Sequence, residues 1–219
     1  MIQSLLLKNN QDVTQEDPRT STIFDALLHL PDNLLWEILR GACHDNHVLP
    51  TVVGKLEFYA FWPKWDAGGT ENERYVEPDV YLQFAEANLI IEAKRSDGGG
   101  QYYEEWEREL TAYENTHDHT DVPVFLIAMG GIGNIISRET IAINEKERMI
   151  VKCSWAKLHE VLLEKSQELV GNERRIIESL VNACALFGFR NYKWLASRMW
   201  ILDFKMAIPA DYRSLIFRR

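Results

Sequence analysis

Two short apolar runs separated by a four-residue polar break constrain this chain more than any other part of its sequence. The runs are Asp79–Phe84 and Leu89–Lys94, and the break is Ala85–Asn88. Both runs have the length and composition of strands, and the break has the length of a hairpin loop. The stretch is therefore predicted to form an antiparallel β-hairpin.

The register of this hairpin decides which side chains meet. If Phe84 pairs with Leu89, then Asp79 lies opposite Lys94, and the residue opposite Glu92 is the tyrosine two positions after Asp79. Because side chains alternate between the two faces of a sheet, Asp79 and Glu92 share a face as diagonal neighbours. Two carboxylates at that separation can converge on one Mg²⁺ ion, whose oxygen ligands lie at about 2.0–2.1 Å.

The hairpin carries a Pro-Asp pair, Pro78-Asp79, and then a Glu-x-Lys triplet, Glu92-Ala93-Lys94. This order resembles the PD-(D/E)XK nuclease superfamily, closely over the hairpin and loosely over the rest of the chain. The resemblance implies a mixed α/β fold: a restriction-endonuclease-like central mixed sheet flanked by helices, here with a helical C-terminal extension. The predicted order of helix, strand, hairpin, helix, two strands and further helices agrees with that layout.

The resemblance also implies roles for single residues. Asp79 and Glu92 become ligands of Mg²⁺ (or Mn²⁺), and the Ala93 carbonyl becomes a third ligand. Lys94 orients the attacking water or stabilises charge. Gln101 stands at the head of the next predicted helix, where branches of the superfamily carry a glutamine, and it either positions that helix or touches phosphate.

Superfamily members often add an acidic residue from a helix that precedes the sheet. Glu37 is the preferred candidate, since it borders the apolar stripe of the predicted second helix. Glu57, within the predicted strand Thr51–Trp62, is the second candidate. For either residue, a solvated charge with no role at the site is the plain alternative.

A hairpin with one solvated, ordinarily charged face is the alternative to a metal site. Leu89-Ile90-Ile91 argues against it, because this run is apolar on both faces, as in a strand covered on both sides. Glu92 and Lys94 then emerge from the end of a buried strand, where charges are costly unless paired or metal-bound.

The composition predicts one domain in two parts: a nuclease-like core over 21–155 that includes the preceding helix, and a helical, basic and aromatic extension over 156–219. The three cysteines have no paired spacing, and neither a secretory signal nor a membrane-spanning run is recognisable. A reduced cytoplasmic protein without a membrane partner is expected.

Charge is distributed unevenly along the chain. Residues 188–219 contain seven Lys or Arg and two Asp, so this tail carries +5; since the whole chain carries −9, the preceding 187 residues carry −14. Basic residues mixed with aromatic ones suit a phosphate backbone and stacked bases. Arg190, Lys193 and Arg198 in the tail, together with Arg95, are the predicted DNA-binding residues. The alternative is that the tail packs on the acidic body or on another subunit.

These observations predict a Mg²⁺-dependent endonuclease that hydrolyses DNA phosphodiester bonds in restriction, defence or repair. The alternative from another class is a nuclease-fold protein that does not cut and serves as a binding module or as a subunit of a larger complex. A homodimer or another protein partner is compatible with either reading.

Neutralising Arg190, Lys193 and Arg198 together tests the tail. If all three contact phosphate, we expect weaker duplex binding and a log–log salt slope flatter by up to about three units, since each contact contributes about 0.9. Fluorescence anisotropy over a salt series measures the slope. An unchanged slope with altered stability or oligomeric state would assign these residues to packing instead.

Overall fold

A computed structural model describes residues 7–8, 15–117, 122–132 and 138–189 of the 219-residue chain. These residues belong to one structural unit, Met1–Phe189, and Arg190–Arg219 forms a second unit outside them. Three of the predicted DNA-binding residues, Arg190, Lys193 and Arg198, therefore lie outside the described residues.

The described part is a mixed α/β fold built on a six-stranded sheet. The helices are α1 (Glu16–Leu27), α2 (Asp32–Ala42), α3 (Tyr103–Thr116), α4 (Trp155–Glu168) and α5 (Gly171–Leu186), and a 3₁₀ turn spans Asn46–Val48. The strands are β1 (Leu56–Phe61), β2 (Trp65–Asp66), β3 (Tyr75–Val76), β4 (Val80–Phe84), β5 (Asn88–Ala93), β6 (Val124–Met129), β7 (Arg138–Ile143) and β8 (Lys146–Cys153).

The sheet has the strand order β1-β4-β5-β6-β8-β7, and β2 and β3 form a separate two-stranded ribbon. Strands β5, β6 and β8 run parallel to one another, while β1, β4 and β7 pair antiparallel with their neighbours. All six residues of β5 are buried, as expected for a central strand covered on both faces. The predicted mixed sheet flanked by helices is confirmed.

Two apolar layers cover the two faces of the sheet. The larger layer joins α1, α2, α4 and α5 to alternate residues of β5, among them Leu89 and Ile91. The smaller layer joins α3 and the β2–β3 ribbon to the other face, which includes Ile90. The helices after residue 155 thus complete the same core as the strands. None of the described helices is long and apolar enough to cross a membrane.

Two serine residues near helix N-termini have different roles. Ser154 caps α4, since its side chain accepts a hydrogen bond from the Lys157 amide at 3.2 Å. Ser21 and Thr22 lie within α1, which begins at Glu16. Their hydroxyls donate to the Pro18 carbonyl within that helix.

The predicted hairpin register is wrong by two residues. In the structure Tyr81 pairs with Ile90, so the register continues to place Asp79 directly opposite Glu92. The loop is tighter than predicted, because the Phe84 amide bonds to the Ala87 carbonyl at 2.9 Å and the next residue already belongs to β5. A shift of two residues keeps every side chain on its predicted face. Asp79 and Glu92 still share a face, now as direct partners rather than diagonal ones.

A pair of glycines after β6 joins that strand to the segment that leads into α3. The Gly131 amide donates to the Ser96 carbonyl at 2.6 Å, and its carbonyl accepts from the Gln101 amide at 3.4 Å. Gly131 has φ +68°, and a Cβ there would lie 2.8 Å from carbons of Lys94 and Gln101. This close approach fixes the position of both side chains.

Gly131→Ala is expected to destabilise the protein by about 1–3 kcal/mol, because it adds a steric clash to an unfavourable backbone conformation. Urea denaturation measures the change. Gly98→Ala is the matched control, since a Cβ at Gly98 meets only the Ser96 side chain at 3.7 Å and its φ is not positive. Equal stabilities of the two variants would contradict this account.

Candidate active site

A cleft of about 360 Å³ opens where β5 ends and β4 begins, beside α3. Its walls are strongly acidic. The cleft is lined by Asp79, Glu92, Lys94, Glu105 and Glu109, together with charged residues nearer its rim such as Glu16. Three of the residues predicted from the sequence, Asp79, Glu92 and Lys94, are therefore brought together.

Asp79 is held by two hydrogen bonds from opposite sides. The Trp62 indole donates to Oδ1 at 3.0 Å, and the Ala93 amide donates to Oδ2 at 2.8 Å. Each carboxylate oxygen has two lone pairs, so one remains on each oxygen for a further ligand. The residue is buried, and burial raises the pKa of Asp79 to about 7, while the two hydrogen bonds act in the opposite direction.

Trp62 reaches Asp79 from an unusual backbone conformation. Its φ is +49°, which is rare for a bulky residue. The Trp62 amide also donates to the Asp79 carbonyl at 3.0 Å, so main chain and side chain both bind the aspartate. No local pattern in the sequence indicates this contact, since it joins positions seventeen residues apart across a loop.

Glu92 and Lys94 share the cleft face of β5 and form an ion pair. Lys94 Nζ lies 2.5 Å from Glu92 Oε1 and 2.8 Å from the nearer oxygen of Glu105 on α3. Burial lowers the pKa of Lys94, but these two carboxylates outweigh it and raise the pKa above its ordinary value. Lys94 is therefore a fixed positive charge beside the Asp79–Glu92 pair.

Glu109 is a site residue that the sequence reasoning did not assign. It is 3% exposed, lies on the apolar face of α3, and its Oε2 atom has no hydrogen-bond partner. The carboxyls of Glu109 and Glu92 interact, and two carboxyls can form a hydrogen bond only when one of them carries a proton. The signal was present in the sequence, because Glu109 stands among Trp106, Leu110 and Tyr113 on a helix face that is otherwise apolar.

Burial is the main cause of the proton affinity of this cluster. It raises the pKa of Glu109 to about 8 and that of Glu92 well above its ordinary value. Neighbouring carboxylates add to the shift of Glu92, because like charges disfavour ionisation. The carboxyls of this cluster therefore bind protons more tightly than ordinary carboxyls do.

The other predicted site residues hold the cleft in place. Gln101 Nε2 donates to the Glu92 carbonyl at 2.9 Å, and its Oε1 accepts from the Trp106 indole at 2.6 Å. Of its two predicted roles, this geometry matches the positioning of the helix. The Arg95 side chain is exposed, and its amide donates to Glu16 Oε2 at 2.6 Å, which ties α1 to the end of β5.

Glu37 and Glu57 are not brought to the cleft. Glu37 pairs with Lys165 of α4 at 2.6 Å, within the helical layer on the opposite face of the sheet. Glu57 is exposed near the start of β1, whereas the end of β1 pairs with the start of β4 beside Asp79. Helices add other acidic residues to this cleft: Glu16 from α1, which precedes the sheet, and Glu105 and Glu109 from α3, which follows the hairpin.

Oxygen ligands suit Mg²⁺, and the cleft offers several carboxylates beside the cationic side chains of Lys8, Lys94 and Arg108. Asp79 and Glu92 are the paired carboxylates. The Ala93 carbonyl lies on the Asp79 side of β5, since the amide and carbonyl of one strand residue point to the same neighbouring strand. Among the described residues, no three His, Cys, Asp or Glu side chains converge as ready ligands for one ion. Two carboxylates and main chain could hold Mg²⁺, which keeps several waters and needs few protein ligands.

Stability is expected to fall as pH rises from about 5 to 8. The pKa values of Asp79 and Glu109 are raised on folding, so the folded state binds more protons than the unfolded state in this window. Their contribution is fully present below the ordinary carboxyl pKa and is lost as pH rises through about 7 and about 8.

Urea denaturation of wild type and Glu109→Gln across this pH range tests the expectation. The amide mimics the protonated acid, so the wild type should lose stability relative to the variant by on the order of a few kcal/mol as pH rises. Glu107→Gln, an exposed change on the same helix, is the control and should track the wild type. Parallel curves for wild type and Glu109→Gln would contradict the assignment.

Comparison with known proteins gives one relative without an assigned activity. No protein-family model matches the chain. The chain is similar to "Uncharacterized protein PM0110" of Pasteurella multocida (strain Pm70), with 28% identity over 200 residues, covering 83% of this chain and 73% of that protein. The function is therefore argued from the geometry of the cleft.

Proposed function

We propose that this protein is a Mg²⁺-dependent endonuclease that hydrolyses DNA phosphodiester bonds, in restriction, defence or repair. The observation that carries the proposal is the pairing of Asp79 with Glu92 in a buried cleft, with Lys94 on the same face. This is the arrangement implied by the resemblance of Pro78-Asp79 and Glu92-Ala93-Lys94 to the PD-(D/E)XK superfamily.

The residues present fit a divalent cation. Asp79, Glu92 and the Ala93 carbonyl would hold it, and the unpartnered Oε2 of Glu109 is a buried acceptor in the same cleft. When bound, Mg²⁺ (or Mn²⁺) supplies a charge sink for the phosphate and acidifies the attacking water. An apolar surround would make this cluster of carboxyls costly unless protons or a cation neutralise it.

Lys94 contributes the positive charge that chemistry on a phosphodiester requires. Its ammonium has three donors, of which Glu92 and Glu105 occupy two. The third donor can orient a water or hold a phosphate oxygen. Glu105 is a positioning residue, because it fixes the ammonium from α3 without belonging to the Asp79–Glu92 pair.

Gln101 acts as a brace. By joining the Glu92 carbonyl to the Trp106 indole, it holds the end of β5 against the start of α3. The geometry of the cleft therefore depends on the contact between the end of β5 and the start of α3.

The three cysteines, Cys43, Cys153 and Cys184, are buried free thiols. This supports the proposed location in a reducing cytoplasm.

A binding module that does not cut is the second candidate. It is favoured by the neutralisation of Lys94 by two carboxylates and by the acidity of the cleft, which repels a polyanion without a cation. In that case the cleft would be a structural ion-pair network, and a protein partner or a second copy would be the ligand.

Asp79→Asn, Glu92→Gln and Lys94→Ala are each expected to lower plasmid cleavage by at least about 100-fold in Mg²⁺ or Mn²⁺, because each removes a charge from the reacting centre. Glu37 and Glu57 lie away from the cleft, so the control variants Glu37→Gln and Glu57→Gln should retain full activity. Gel electrophoresis of plasmid and RNA substrates measures the cuts and identifies the nucleic acid that is cleaved.

A binding measurement separates the two candidate functions. Mg²⁺ should raise the melting temperature of the wild type more than that of Asp79→Asn or Glu92→Gln, since a ligand stabilises only the state that binds it. Equal shifts in all three proteins, with no cleavage by the wild type, would refute the nuclease and leave the binding module.

A further inference from the structure

A buried lysine, Lys152, lies on the same face of the sheet as Glu92 and, like Glu92, near the carboxyl end of its strand. The three parallel strands are in register there, so that Glu92 pairs with Ala128 and Ala128 pairs with Lys152. Two residues earlier on each strand, the side chains belong to the α3 layer, as with Ile90 and Ile150. Because alternate residues share a face, Lys152 faces the α3 side as Glu92 does.

The two positions are separated by two inter-strand spacings, or about 10 Å. Ala128, between them, is fully buried in the apolar layer that packs on α3. Gln101 lines the cavity that Lys152 borders and reaches back to the Glu92 carbonyl. The carboxyl ends of these strands thus present two ammonium groups, those of Lys94 and Lys152, with Gln101 between the acidic cleft and the cavity beside Lys152.

Lys152 borders a cavity of about 260 Å³ that is distinct from the acidic cleft. Gln101, Tyr103, Trp106 and Gly131 form the rest of its wall, together with Ile132 and Glu139. Tyr103 is 44% exposed and Trp106 is buried, so the cavity has an aromatic wall and an open mouth. Of the charged groups described here, the cavity contains one lysine and one glutamate.

Lys152 is more deeply buried than Glu139, the residue with which it forms an ion pair. The Lys152 side chain is 7% exposed, forms an ion pair with Glu139 and lies over the Trp106 ring at 5.5 Å. The Glu139 side chain is 30% exposed and comes from β7, the strand at the edge of the sheet. A buried ammonium needs a counter-anion. A phosphate that enters the cavity can supply it while Glu139 turns toward solvent.

We propose that this cavity is a phosphate subsite for the nucleic-acid strand, with Lys152 bound to a phosphate next to the one at Lys94. This inference rests on the proposed function and extends it along the sheet edge. The strand passes from the acidic cleft across Gln101 to Lys152, and its sugar or base packs against Tyr103. Once Glu139 turns toward solvent, the subsite adds one positive charge beside a cleft whose carboxyl groups outnumber its three cationic side chains, Lys8, Lys94 and Arg108.

Binding of a labelled DNA oligonucleotide to the full chain tests the subsite. The measurement is fluorescence anisotropy over a salt series, with Ca²⁺ in place of Mg²⁺ to prevent cutting. Lys152→Ala should weaken binding by about tenfold, the loss of one charged hydrogen bond. It should also flatten the log–log salt slope by about 0.7 on single strands or about 0.9 on duplex.

Two further variants control for misfolding and for the general effect of removing a lysine. Glu139→Gln removes the competing carboxylate while leaving Lys152 in place, so it should tighten binding. Lys146→Ala is the control, since it removes a 58%-exposed lysine from the opposite end of β8 and should leave affinity and slope unchanged. Weaker binding by Glu139→Gln, or a Lys152→Ala slope equal to that of wild type, would overturn the subsite.

Cleavage assays distinguish a failure of the subsite from a failure of the proposed nuclease activity. If the wild type cuts DNA and Lys152→Ala binds as the wild type does, the subsite is refuted and the nuclease stands. If the wild type binds DNA with the expected dependence on Lys152 but does not cut, the subsite stands and catalysis is refuted.

Discussion

The burial of three carboxyl groups at the end of an apolar sheet is the constraint on which the site depends. Asp79, Glu92 and Glu109 lie together with little access to water. An isolated buried carboxylate is too costly to persist, so each is hydrogen-bonded, paired or protonated. The Trp62 indole and the Ala93 amide donate hydrogen bonds to Asp79. Lys94 forms an ion pair with Glu92, and the interaction between Glu92 and Glu109 favours a protonated carboxyl. The same constraint raises their pKa values, and on the function that we propose these groups exchange protons for a cation.

The sequence predicted the hairpin and the shared face of Asp79 and Glu92 because strand periodicity is a local property. It did not predict the register, since contacts from elsewhere in the chain also hold the turn. The Ala85 amide bonds to the Lys55 carbonyl and the Asn88 amide to the Pro123 carbonyl. Strand alternation nevertheless made the prediction robust, because a two-residue shift leaves each side chain on its face.

The misplacement of Glu37 and the omission of Glu109, both on helices, have one common cause. Helix periodicity shows which side of a helix is apolar but not which face of the sheet that side covers. Glu37 was assigned to the site for its place beside an apolar stripe, yet that stripe packs on the far face. Glu109 was passed over, although a glutamate inside the apolar stripe of α3 marks a buried charge. Trp62 and Glu16 reach the site through long-range contacts that no local pattern encodes.

Calorimetric titration of Mn²⁺ into the protein at pH 7, repeated in buffers of different ionisation enthalpy, tests the central claim most directly. If Asp79, Glu92 and Glu109 exchange protons for a cation, binding must release protons, and the observed heat must vary with the buffer. The account predicts one bound ion per chain with proton release that is reduced in Glu109→Gln. Absence of binding, or binding with no proton release, would contradict it.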